Sequence, residues 1–203
     1  MSLFKRLLNP NYKSDDKAKK AGKSETSKYF PEEKLPIDEK FTYNFNKNGG
    51  KFLYCEDMKE VLEAFDNILM ENDWYEREVM CVDSQLSDRF EGFNLKFGKS
   101  SSSTFFLSNC ESLVANNGSI LLCSNQIKEN KLFDLPTNFV IFATTCQLVE
   151  SISEGLRKIK NKNQRHIPSN ITTIQDFESK KEKDFMSYGS STKNLYLLLL
   201  EDL

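Results

Sequence analysis

The run Phe139-Val140-Ile141-Phe142-Ala143, followed by Thr144-Thr145-Cys146-Gln147, decides the fold class. Five consecutive apolar side chains leave no polar face, so the segment reads as a central strand covered on both sides by helices, as parallel sheets require. Thr144 and Gln147 have the spacing of a capping box. Leu148, Val149, Ile152, Leu156 and Ile159 then supply the apolar stripe of a following helix. Leu195-Tyr196-Leu197-Leu198-Leu199-Leu200 is a second strand of the same kind, far short of the roughly 20 apolar residues that cross a bilayer.

Working outward, the turn Asn48-Gly49-Gly50 leads into a short strand at 51–55. Residues 56–73 then carry Met58, Val61, Leu62, Phe65, Ile68 and Leu69 at helical spacing. Residues 78–82 read as the next strand and 84–90 as a short helix, so strand and helix alternate. Residues 112–115 and 119–124 flank Asn116-Asn117-Gly118, and Asn-Gly predicts an antiparallel hairpin with a type I′ turn, both central residues at positive φ. The expected fold class is α/β: a mixed, mostly parallel sheet with flanking helices and an inserted antiparallel hairpin.

A length of 203 residues suits one domain plus a tail. Residues 1–30 hold eight Lys or Arg against three acids, and between Asn9 and Lys28 the only large apolar side chain is Tyr12. Pro31 and Pro36 force extended backbone before them. The reading is therefore a disordered basic tail and linker at 1–45 and an α/β domain at 46–203. The opening Met1–Leu8 has Lys5 and Arg6 inside its apolar run, too short for a secretory leader or a membrane span. A formal net charge of −2 argues against a nucleic-acid binder working through bulk charge.

Cys55, Cys81, Cys110, Cys123 and Cys146 contain no Cys-x-x-Cys pair and sit mostly in or beside apolar runs, so they read as reduced core thiols in a cytoplasmic protein. The one histidine, His166, lies in a polar connection and excludes two-histidine zinc motifs. No metal site and no redox cofactor is expected.

Three polar loops are candidate ligand sites, since open α/β sheets bind ligands outside the carboxyl ends of their strands. In the first, Asn116, Asn117, Gly118 and Ser119 offer amides, a hydroxyl and close backbone approach. The second, 168–176, offers Thr172, Thr173 and Asp176. The third, 187–193, offers Tyr188, Gly189, Ser190 and Lys193 as a nest for a small anion. Hairpin turns, helix caps and loops use the same residue types. None of the three carries a Walker or dinucleotide fingerprint.

The second half, with its hairpin around Asn116-Asn117-Gly118, the strand at 139–143 with its capped helix, Ile167-Pro168-Ser169-Asn170-Ile171-Thr172-Thr173, Ser187-Tyr188-Gly189-Ser190 and the closing strand, resembles the lactate-utilisation (LUD, LutC-like) domain family. The resemblance is clearest over 103–203 and extends back to about 45. It implies a fold like that of the NagB/RpiA/CoA-transferase group and a cytoplasmic bacterial subunit in L-lactate oxidation to pyruvate, beside partners that carry the iron–sulfur chemistry. Where the family has an acid and a threonine before the hairpin glycine, this chain has Asn116 and Asn117. Tyr188 stands near the family's usual histidine. These replacements leave open a non-catalytic binding or regulatory module, or an enzyme acting on a phosphorylated or CoA-bearing molecule.

Overall fold

The protein is described by a computed structural model over residues 35–164, 167–177 and 193–202. Its frame is a six-stranded sheet in the order β1-β10-β7-β4-β2-β3, every adjacent pair parallel. The strands are β1 (Lys51–Cys55), β2 (Glu78–Cys81), β3 (Lys96–Gly98), β4 (Phe105–Ser108), β7 (Asn138–Thr144) and β10 (Asn194–Leu200). Alternation along β7 and β10 explains their unbroken apolar sequence. Phe139, Ile141, Ala143, Leu195, Leu197 and Leu199 enter one core, while Val140, Phe142, Tyr196 and Leu198 enter the other.

The second core lies under α2 (Met58–Asn72) and α3 (Ser84–Arg89), where Val61, Phe65, Ile68, Leu69 and Leu86 meet Trp74 and Phe105. Asp57 caps α2 by accepting from the Glu60 N–H at 2.9 Å, and Asp73 ends it in the left-handed region.

The first core is closed by α1 (Ile37–Lys47) and by a second sheet, in the order β8-β5-β6-β9. Its strands are β5 (Ser112–Val114), β6 (Ser119–Leu122), β8 (Leu148–Val149) and β9 (Thr172–Ile174). The hairpin does not interrupt the parallel sheet. Instead it turns Leu113, Ile120 and Leu122 toward it, leaving Leu121 to pack beneath α5 (Ile152–Lys162), where a side chain on Gly155 would come within 2.9 Å of Leu121.

Three expectations change. The domain does not begin at 46, because Phe41 and Phe45, one helical turn apart, are fully buried and anchor α1. The capping box at Thr144 and Gln147 forms, but on a short 3-10 turn at Thr145–Gln147. Leu148 and Val149 then pair with Leu113 and Val114 as β8, and the helix starts at Ile152 with Ser151 as its cap. Finally, only Gly118 in the hairpin loop has positive φ, at 66°, so the connection is a four-residue loop rather than a type I′ turn.

Candidate functional site

Because all six strands run the same way, Cys55, Cys81, Ser108, Thr144 and Leu200 end at one edge of the sheet. The chain leaves β2 toward β3 on one side and leaves β4 toward the second sheet and β7 on the other. The connections therefore diverge between β2 and β4, the place where open α/β sheets form a crevice. Asp83 and Asn109 face each other there, Asn109 Nδ2 donating to Asp83 Oδ2 at 3.0 Å while Asp83 Oδ1 accepts from the Gln85 N–H.

From Asn109 the network continues through α4 (Ser124–Ile127). Gln126 Nε2 donates to Asn109 Oδ1 at 3.1 Å and to Glu111 Oε1 at 3.0 Å. Asn125 Nδ2 and Cys123 Sγ also donate to Glu111 Oε1, and Lys162 Nζ stands 4.0 Å from Oε2. Only 5% of the Glu111 side chain is exposed. Burial works to raise its pKa, but donation from Gln126, Cys123 and Asn125 and the nearby Lys162 outweigh it and hold the carboxyl below its ordinary value. Burial, reinforced by Glu111, pushes the Cys123 thiol up to about 12. Burial likewise pushes Cys81 up to about 11 and raises Cys110. At neutral pH these thiols are protonated rather than nucleophilic: Cys81 and Cys123 donate, and Cys110 accepts from Gln147 Nε2.

At the ends of β7 and β10, Asp202 Oδ1 accepts from Thr145 Oγ1 (2.6 Å) and the Cys146 N–H (2.9 Å). Gln147 donates to the Cys110 carbonyl, and Lys158 Nζ reaches the carbonyls of Cys146 and Leu148. What burial Asp202 has works against its charge, but the donors at Cys146 and Thr145 bring its pKa down to about 2. The edge thus presents the ionised Asp202 carboxylate, the Asn109 and Asn125 amides with one N–H each to spare, and lysines, a set suited to holding a small polar molecule. Among the described residues, no group of three or more His, Cys, Asp or Glu is placed to hold a metal ion.

The hairpin loop is spent differently. Asn44 Nδ2 donates to the Ala115 and Asn116 carbonyls, and Asn48 Nδ2 to the Asn117 carbonyl at 2.7 Å. Lys40 Nζ bridges Asn116 Oδ1 at 2.5 Å and Glu150 Oε1 at 2.6 Å. Gly118 lies so close to α1 that a Cβ there would come within 2.4 Å of the Asn44 and Phe45 backbone. Ser119 is buried and donates to Asn117 Oδ1. The loop is the seat of α1.

Thr172 and Thr173 are half-buried on β9, opposite Leu122 and Leu121. Gln175 accepts from Asn117 at 3.4 Å, linking the second candidate loop to the first. The Asp176 carbonyl accepts from the Lys193 N–H. Lys193 is 3% exposed and lies at the amino end of β10, away from the crevice. Its ammonium donates to the Leu135 and Pro136 carbonyls and lies over the Phe139 ring, with its pKa lowered to about 8 by burial. Tyr188, Gly189, Ser190, His166 and the segment 1–34 lie outside the described residues. Sequence reasoning missed Asp83, Asn109, Glu111, Gln126 and Asp202. The available signal was position, since Asp83, Asn109 and Asp202 follow within two residues of a strand end.

A family model for the LUD domain matches residues 96–200, just over half of the chain. Among solved structures, a DUF162 family protein from Deinococcus radiodurans is similar at a TM-score of 0.57 and 13% identity. The match covers 82% of this chain and 96% of that one, and at this identity it speaks to the fold. No curated protein matches the chain.

Proposed function

The chain belongs to the LUD domain family, and on that premise we propose that it is an accessory subunit of a lactate-utilisation system, oxidising L-lactate to pyruvate, that holds a small polar ligand and works beside iron–sulfur partners without a redox cofactor of its own. The observation that carries this reading is the overlap of the matched segment with the crevice: Asn109, Glu111, Gln126 and the turn at Thr145–Gln147 all fall inside residues 96–200. Asn109 and Asn125 each use one amide N–H within the network and keep the second for an anion's oxygens, with Lys158 and Lys162 adding positive charge. The half-buried carboxylate of Asp83 suits a ligand hydroxyl, and Glu111 behind it fixes the amides. With the Cys81, Cys110 and Cys123 thiols protonated and Glu111 ionised, the residues here bind and orient rather than move protons.

Five free cysteines, four of them buried, favour a reducing cytoplasm. No helix among the described residues is long and apolar enough to cross a membrane. The test is a deletion strain grown on L-lactate as sole carbon source, with co-purification of the tagged chain and the iron–sulfur subunits. The proposal expects loss of growth and co-elution, and normal growth would sink it.

A second reading, a non-catalytic regulatory module, is favoured by Asn116 and Asn117, which carry no carboxylate and whose loop is occupied by α1. Turnover of lactate or an acyl-CoA by the purified protein would exclude it. Thermal shift against sugar phosphates and CoA esters tests the enzyme alternative. A ligand at 100 times its Kd adds about 2.7 kcal/mol.

A further inference from the structure

The helix α5 departs in charge from the rest of the folded chain. Beyond residue 30 the sequence carries 20 basic against 27 acidic side chains, yet α5 holds Arg157, Lys158, Lys160 and Lys162 against the single acid Glu154. Two of these cations have internal work. Lys158 ties down the carbonyls of Cys146 and Leu148, and Lys162 faces Glu111. Arg157 and Lys160 are exposed and have no partner among the described residues. On the helical wheel Lys160 stands beside Leu156, which is 41% exposed, and Ile152, 36% exposed, one turn earlier. The buried side of the helix is carried by Gly155 and Ile159. The outward shoulder is therefore two aliphatic side chains edged by two unspent cations.

We propose that this shoulder of α5 is a docking surface for an acidic segment of a partner protein, one that carries aliphatic side chains among its carboxylates. Charge complementarity selects the occupant. An extended polyanion, whether nucleic acid or an anionic bilayer, would run past the two cations onto Glu150 and Glu154 at the start of the helix and onto a chain that is net acidic beyond residue 30. A short acidic segment meets only the patch, and its aliphatic side chains cover Ile152 and Leu156. The same helix reaches the crevice through Lys158 and Lys162, so a partner seated here lies beside the candidate site.

The test uses the full chain and a fluorescent 20-residue peptide with Glu and Leu in i, i+4 pairs. Controls are a Lys-for-Glu copy of the peptide, vesicles containing phosphatidylserine, and single-stranded DNA. The proposal expects salt-sensitive binding of the acidic peptide alone. It expects roughly tenfold weaker binding by the R157E/K160E double variant, chiefly through slower association, and weaker binding by Leu156→Ser at unchanged melting temperature. Equal peptide binding by wild type and the double variant would overturn it. So would no peptide binding, or binding confined to vesicles or DNA.

Discussion

In the hairpin loop Ala115–Ser119, two asparagines, a glycine and a serine are closed by α1: Asn44 and Asn48 take the carbonyls, Lys40 takes the Asn116 side chain, and Gly118 touches the helix backbone. In the loop after β4 and on α4, Asn109, Asn125 and Gln126 have the same chemistry, yet they meet carboxylates and each other at the carboxyl end of a parallel sheet. The difference lies in topology rather than composition. A polar loop becomes a seam where a helix lies across it and a candidate site where diverging connections leave it facing outward.

The largest effect expected from this contrast is at the seam. Gly118→Ala adds a Cβ at a φ of +66° against main-chain atoms, and unfolding by denaturant should show a loss of about 3 kcal/mol or more. Phe45→Ala, which empties the core beneath α1, should cost a comparable 3–5 kcal/mol. A Gly118→Ala protein as stable as wild type would mean that α1 is not seated there.

Lys193 gives the next effect, with a sign opposite to that of a salt bridge. Its folded pKa of about 8 is below its ordinary 10.5, so the unfolded chain binds the proton more tightly and stability rises with pH between those values. Denaturation from pH 7.5 to 10.5 should show a rise of about 1 kcal/mol per pH unit, flattened in Lys193→Met. A falling slope would place the ammonium in an ion pair instead.

In the crevice, Glu111→Ala leaves the Gln126, Asn125 and Cys123 donors without their shared acceptor and should cost about 1–3 kcal/mol. The folded carboxyl titrates below its unfolded value, so this contribution is present above the unfolded pKa and is lost as pH falls through the folded one. An acid titration of the two proteins should converge. The smallest effect is at Asp202, which is exposed. Solvent screening holds Asp202→Asn to a few tenths of a kcal/mol, lost in wild type only as pH falls toward about 2.

The sheet was legible where burial writes itself into sequence. β7 and β10 are apolar between their polar first residues and their ends because both of their faces are covered, and α2 carries an unambiguous stripe. Helix α1 was hidden behind Pro31 and Pro36, although Phe41 and Phe45 already had helical spacing and Asp38 and Glu39 supplied a favourable first turn. Leu148 and Val149 fit a helical stripe and a two-residue strand equally well, and only pairing with β5 separates the two. The crevice was hardest to read. Asp83, the Asn109–Glu111 stretch and Asp202 lie far apart in sequence, and the strand order that assembles them is set by long-range parallel pairing.

The most direct measurement is growth on L-lactate by a deletion strain complemented with two sets of variants matched for melting temperature. One set, Asp83→Asn and Asn109→Ala, alters the crevice. The other, Asn116→Ala, alters the hairpin loop. The account predicts that the crevice variants fail to restore growth while Asn116→Ala restores it. Full rescue by the crevice variants, with failure of Asn116→Ala, would place the working site in the loop and contradict it.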